Sequence, residues 1–422
     1  MKFEKTILEN GMRVITVPMK DNPAVTVLVM VEAGSKYEDK SVNGISHFLE
    51  HMCFKGTIKR PSSGDISREL DSIGSQYNAF TSQEYTGYYA KSHPKYLPKI
   101  LDVISDVYLN SVFDEKEIEK EKGVIIEEIN MYEDLPQKHV NDVFMELLYG
   151  DQPAGWNIAG TREIVRNIKR QDFIDYRNKH YVASATTVIV AGSFDEEKIF
   201  SQIESAFQNI NTGEKKGKLK VTETQDEPKL SLKSKETDQT HIILGVRAFN
   251  LFDKRVPVLK VLNSVLGGGM SSRLFQKLRH EMGVGYYVFS SLNDYTDHGF
   301  LDVSVGVDNK RVSEVVIAIM GELNKLKTKK VSEEELQKAK DYFIGNMYLE
   351  LETSDSLAGF YGSQDILKHE ILLPDQIAEE IKAVTSEDLM RVAKEIFQDK
   401  NLNMAMIGRD GEKMEVQKTL KF

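Results

Sequence analysis

Apolar and polar positions along this chain follow two different periods, and the switches between them outline its elements. Residues 1–33 read as two strands. Ile7 to Val17 carries a turn at Asn10-Gly11, the signal of a hairpin or a bend, and Ala24 to Val31 (AVTVLVMV) is a β-branched apolar run of the kind found in buried strands. A polar loop, 34–44, leads into an apolar-periodic helix around ISHFLEHMCF, which Gly56-Thr57 ends. Ser62 to Leu70 begins another helix, and Ser72 to Ala90 reads as two strands, SIGSQYNAFTS and then EYTGYYAKS. Tyr96 to Leu109 returns to a period near 3.6, as a helix does. A long acidic helix follows from about Asp114 to Glu133, then a helix over 138–150 and two helical pieces between Ile164 and Tyr181. Thr186 to Ala191 is a strand and Glu196 to Phe207 an amphipathic helix.

The stretch 211–228, NTGEKKGKLKVTETQDEP, is polar, highly charged and without a large apolar face, so it reads as a linker. Beyond it the order repeats. HIILGV (241–246) echoes the first buried strand, and LKVLNSVLGGGMSSRLFQKLRHE stands where the ISHFLEHMCF helix stood. Tyr286 to Ser290 and Gly299 to Val307 echo the strand pair, and Arg311 to Lys325 the helix at 96–109. SEEELQKAKDYFIGNMYLE echoes the acidic helix, while Thr385 to Phe397 and Leu402 to Ile407 echo the closing helix and strand. This is a duplication of a unit of about 200 residues, each copy large enough for its own core. The domain boundaries that follow are 1–210, a linker 211–228, and 229–422.

Composition narrows the functional classes. The 422 residues are 41% hydrophobic and 28% charged, enough for two domains, and no apolar stretch is long enough to span a bilayer. The start, MKFEKTILENGMRVITVP, has the pattern of a strand and turn rather than a signal peptide. Cys53 is the only cysteine, which excludes an internal disulfide; together these features lead us to expect a cytoplasmic protein without membrane association. A net charge of −10 argues against nucleic acid as a partner and permits basic peptides.

The chemistry is concentrated in His47-Phe-Leu-Glu50-His51. On a helix His47 and His51 lie four apart on one face, so both imidazoles can turn a nitrogen onto one ion, zinc being the usual one. Glu50, on the same side of the turn, can take a proton from a water held there. H-x-x-E-H is the inverse of the commoner H-E-x-x-H. A catalytic zinc needs a third protein ligand, and the acidic helix offers one. Glu121 and Glu128 are seven apart and share a face, and Glu128 follows the apolar run Val124-Ile125-Ile126; spacing alone does not choose Glu128 over Glu127. The second copy has no H-x-x-E-H. Its Gly267-Gly268-Gly269 is followed by no Lys-Ser/Thr and forms no G-x-G-x-x-G, which argues against a nucleotide site and for a flexible, substrate-contacting or helix-capping turn.

Four ordered motifs, HFLEHMCFKGT, GSQYNAFTSQEYTGYYAKS, EIEKEKGVIIEEINMYEDLP and LGGGMSSRLFQKLRHEMGVGYY, resemble the pitrilysin/insulinase family of inverzincin zinc metallopeptidases, over nearly the whole chain. Among its members the resemblance is to the β subunit of mitochondrial processing peptidase and its short bacterial relatives. The fold it implies is α+β: two tandem homologous domains, each a mostly antiparallel sheet covered by helices, together half of a clam-shell chamber. The resemblance implies one zinc ion per chain on His47, His51 and Glu128, with Glu50 as general base and Glu121 supporting a ligand histidine. It assigns Asn78, Ala79 and Phe80 to an edge strand that takes the substrate as an extra strand, and Phe54 to the pocket for the residue before the cut. Arg279 and Tyr286 match a pair that contacts substrate near the scissile bond. The activity implied is a zinc endopeptidase acting on unfolded or extended peptides. With two repeats where long members have four, it implies a homodimer in which Arg279 and Tyr286 approach the zinc of the other copy. The alternatives in the same fold are a non-catalytic core-type subunit and one half of a heteromeric processing peptidase. Cys53 stands where Leu is common, and PAGWNIAGT (153–161) replaces the commoner P-L-G-R-P-I-L-G-T; both bear on pocket shape rather than on the metal.

Overall fold

In the computed structural model, which describes residues 2–409 and 413–422, the chain packs into two compact units. The first comprises residues 1–130, 156–219 and 349–372, the second 131–155, 220–348 and 373–422. The packed units therefore differ from the sequence repeats. Each takes in a helical segment from the other half of the chain.

The first unit is built on a six-stranded sheet of β1 (Glu4–Ile7), β2 (Arg13–Pro18), β3 (Val25–Val31), β4 (Gln76–Thr81), β5 (Thr86–Ser92) and β6 (Thr186–Gly192), in the order β1-β2-β6-β3-β5-β4. Only β2 and β6 pair in parallel; the other neighbours are antiparallel. Every residue of β3 and β6 is buried, as their unbroken β-branched sequences require of strands covered on both faces. β4, by contrast, alternates exposed and half-buried positions and lies at the sheet edge. Of the hairpin or bend that Asn10-Gly11 signals, the structure has the hairpin, β1 pairing antiparallel with β2.

On one face lie α1 (Ile45–Cys53), α2 (Ser63–Asp71) and α3 (Leu97–Asn110), joined in one core with Phe48, Leu49, Ile100, Ile104 and Phe173. Ser62 starts α2 with a capping box closed by Asp65. The other face takes the helix Ser354–Lys368, a segment the sequence pattern does not predict, against β3 and β6. Its approach is close enough that a Cβ at Gly362 would come 2.6 Å from Met30 Sδ. Fully buried Asp365 fixes it there, accepting from Arg13 Nε at 2.8 Å and Thr187 Oγ1 at 2.7 Å and pairing with Lys5 Nζ at 2.6 Å.

The acidic helix is α4 (Glu115–Asp134), and α5 (Pro136–Tyr149) follows. In the second unit β7 (Lys229–Ser234), β8 (Gln239–Arg247), β9 (Tyr287–Asp294), β10 (Gly299–Asp308) and β11 (Leu402–Gly408) form a sheet ordered β7-β11-β8-β10-β9. Here too one pair, β7 with β11, is parallel and the rest antiparallel. Helix α5 covers β8 and β11, its Phe144 ring edge-on to Phe300 at 5.6 Å. The triple glycine forms a turn that ends a helix, as read from sequence: Val256–Gly267 stops there, Gly269 takes φ +85°, and a short π-helix, Phe275–Glu281, follows. Residues 211–228 contain no regular element. No helix among the described residues is long and apolar enough to cross a membrane.

Candidate metal centre

Helix α1 buries Ile45, Phe48, Leu49, Met52 and Cys53, spaced as one helical face. That choice of face leaves His47, Glu50 and His51 together on the other. The N-terminus of α1 is held from outside the helix. Gly44 has φ +96°, and a Cβ there would lie 2.5 Å from Ala159 O, so only glycine fits. The buried carboxylate of Glu38 accepts from Gly44 N at 2.7 Å, Ser46 N at 2.8 Å and Asn43 Nδ2 at 2.9 Å, satisfying donors that a helix start leaves open. Burial pushes this carboxyl up to about 7 against the opposing pull of those donors. Ser46 Oγ and Tyr176 OH, 2.7 Å apart, add a tie to the core.

Helix α4 buries Ile118, Glu121, Ile125 and Ile129 as one stripe, so Glu121 is a carboxylate set in an otherwise apolar row. Its Oε1 accepts from His51 Nδ1 at 2.8 Å and its Oε2 pairs with Lys55 Nζ at 2.6 Å. Burial alone would raise this carboxyl, but the two partners hold it below the usual carboxylate range. An ionised carboxylate only accepts, so His51 Nδ1 carries a proton, and in the neutral imidazole the lone pair is left on Nε2. The same partnership outweighs burial and raises His51 above its ordinary value, whereas burial and the neighbouring His51 push His47 down to about 4. His47 Nδ1 is buried and has no hydrogen-bond partner among the described residues.

Seven residues beyond Glu121, Glu128 projects half-buried while Glu127 is exposed. His47, His51 and Glu128 are the one group of three or more candidate ligands found among the described residues. His47 Nε2 lies 3.2 Å from His51 Nε2, and Glu128 Oε2 lies 3.6 Å from the first and 3.7 Å from the second. Two donors on a tetrahedral zinc, each at ~2.0–2.1 Å, stand ~3.3–3.4 Å apart. The residues present therefore fit that ion in donor type, number and spacing. Glu50, shielded by burial that raises its carboxyl, accepts from Thr81 Oγ1 at 2.5 Å.

Strand β4 carries Tyr77, Ala79 and Thr81 on one face, half-buried, and Asn78 and Phe80 on the other, exposed. Thr81 reaches Glu50, so Ala79 shares the metal-side face. The Phe80 ring instead lies over Gly87, where a Cβ would come 2.2 Å from its Cζ. Phe80 can thus meet a ligand on the metal side only through its backbone. Asn78 Oδ1 accepts from Ala79 N at 2.9 Å. Phe54, the residue that closes α1, stacks on Tyr77 at 6.4 Å. Arg279 and Tyr286 belong to the second unit. Both are exposed, and Arg279 Nη1 donates to the Gly285 carbonyl.

Sequence reading missed Glu38, Lys55 and Thr81. Glu38 leaves no pattern, because its contacts run through an irregular loop. Thr81 is in phase with Ala79 on β4, a signal that strand alternation does supply.

The sequence profile of the family described as Insulinase (Peptidase family M16) matches residues 13–162, and that of the Peptidase M16 inactive domain matches residues 167–343. An uncharacterised zinc protease of Bacillus subtilis is 36% identical, covering 96% of this chain and 97% of the relative. One of Streptomyces coelicolor is 33% identical, covering 93% and 87%. Among solved structures, a protease from Helicobacter pylori superposes with a TM-score of 0.91 at 23% identity, covering 96% of this chain and 99% of that one. A peptidase M16 inactive domain from Pseudomonas fluorescens superposes at 0.88 with 15% identity, covering 97% and 99%.

Proposed function

This chain belongs to peptidase family M16, the insulinase family, and on that premise we propose that it is a zinc endopeptidase that hydrolyses unfolded or extended peptides. The observation that carries the reading is the triangle of His47 Nε2, His51 Nε2 and Glu128 Oε2 at zinc-like separations, with the Glu50 carboxylate on the next turn face. In this reading His47, His51 and Glu128 would hold one zinc ion per chain. When bound, it would make water acidic enough to attack at neutral pH and polarise the scissile carbonyl.

The protein's own groups supply the rest. Glu50 takes the proton of the attacking water and delivers it to the leaving amine, and its raised proton affinity suits both halves of that task. Glu121 holds His51 in the tautomer that presents a lone pair. The edge of β4, through the backbone of Asn78, Ala79 and Phe80, receives the peptide as an added strand, and Phe54 borders the adjoining side-chain pocket. Arg279 and Tyr286 contribute donors for the oxyanion, reaching the centre of a second copy in a cytoplasmic homodimer that encloses its substrate in a clam-shell chamber.

The test pairs metal analysis with a quenched-peptide assay of wild type and Glu50→Gln. Wild type should carry one zinc and cleave, and the variant should keep the zinc and lose cleavage. A wild-type protein with neither zinc nor cleavage would leave a non-catalytic subunit as the better reading. Activity that appears only when a second, different chain is added would favour the heteromeric one.

A further inference from the structure

Among the described residues, the Glu50 carboxylate receives one hydrogen bond, from Thr81 Oγ1 to Oε2 at 2.5 Å. The carboxylate accepts and the hydroxyl gives its single proton. With Oε2 engaged, rotation of the carboxylate is fixed and Oε1 is the oxygen left to take a proton from water.

Thr81 is well placed for this. It is the last residue of β4, in register with Thr86 of β5, whose own hydroxyl donates to Ala33 O at 2.8 Å. A β-branched side chain on a paired strand has little χ1 freedom. Helix α1 packs against the same strand, so the distance between Thr81 and Glu50 is set by the core rather than by two flexible side chains. β4 is also the sheet edge, where an extended peptide would add.

We infer that Thr81 is a positioning residue: its hydroxyl aims the Glu50 carboxylate, so the strand that would receive the peptide also sets the orientation of the base. The inference rests on the peptidase reading of the site. It acts on the proton-transfer step and not on metal or peptide affinity.

Thr81→Val removes the hydroxyl and keeps the shape; Thr81→Ser returns the hydroxyl without the methyl. Expected for Thr81→Val is a kcat lower by about 10- to 100-fold, the range for groups that orient first-contact residues, with KM and zinc content unchanged. Thr81→Ser should recover most of the loss. A second readout needs no metal. In zinc-free protein, Thr81→Val should lower the urea midpoint, and by less than half as much when introduced into Glu50→Ala, because the partner is already gone. A wild-type kcat in Thr81→Val, a Thr81→Ser enzyme as slow as Thr81→Val, a loss that follows zinc content or KM, or additive midpoints would each overturn the inference while leaving the peptidase reading intact. A wild type without zinc or cleavage would overturn both.

Discussion

Replacing Glu128 by Ala tests the ligand set most directly, because the neighbouring Glu127 provides an internal control on the same helix. Glu128 Oε2 completes the triangle with the two imidazoles at 3.6 and 3.7 Å, while Glu127 is exposed and outside it. Four-ligand structural zinc sites bind with about 10–16 kcal/mol, or about 2.5–4 kcal/mol per ligand. Losing one ligand should therefore weaken zinc binding by roughly 100- to 1,000-fold. Glu127→Ala should leave affinity within about twofold, as expected of a solvated carboxylate. Competition against a chelator of known zinc affinity gives both numbers on purified protein, and thermal unfolding with and without zinc checks them through the linked rise in Tm. Equal losses in the two variants, or a Glu128→Ala protein that binds zinc like wild type, would refute the three-ligand assignment.

Asp365→Asn should destabilise the protein by about 3–5 kcal/mol in urea unfolding, because it leaves Arg13 without its buried counter-charge. The Asp365 carboxyl is held below its ordinary value by Lys5, Thr187 and Arg13, which outweigh burial, so its contribution is present above the unfolded value and disappears as pH falls through the folded one. The variant should accordingly show a shallower loss of stability in acid. Asp302, buried in β10 with Asn293 and Ser304 as partners, has the opposite sign: burial pushes it up to about 7, so the folded protein binds the extra proton and loses stability as pH rises from about 4 to 7. The span is on the order of 4 kcal/mol, and Asp302→Asn should flatten that limb of a Tm-versus-pH curve. Gly44→Ala should cost at least about 1–3 kcal/mol from backbone strain alone, and should weaken zinc binding by shifting the start of α1. Phe48→Ala, which empties a core position edge-on to Phe173, should cost about 3–5 kcal/mol in the same unfolding assay.

The parts of this protein that were legible in sequence are those where one helical or strand period carries the information by itself. In α1 the spacing of Ile45, Phe48, Leu49, Met52 and Cys53 decides which face is buried, and so decides that His47, Glu50 and His51 share the other. The same periodicity that builds the core thus assembles half of the site. On α4 the period carries less far. It aligns Glu121 with Ile118 and Ile125, but Glu127 and Glu128 differ by a single 100° step, and only packing shows which of them points at the imidazoles. Glu38 is invisible to any period, since it meets the start of α1 through a loop. The helix Ser354–Lys368 is hidden for a related reason. Its partners, Met30, Ile189, Arg13 and Thr187, lie 165 or more residues away, and its small residues, Ala358 and Gly362, mark a close approach that only the opposing sheet makes necessary. A helix taken from the second half thus covers β3 and β6, just as α5 from the first half covers β8 and β11. Each packed unit is thus completed by a helix from the other sequence repeat, an exchange that no periodicity within a single repeat could reveal.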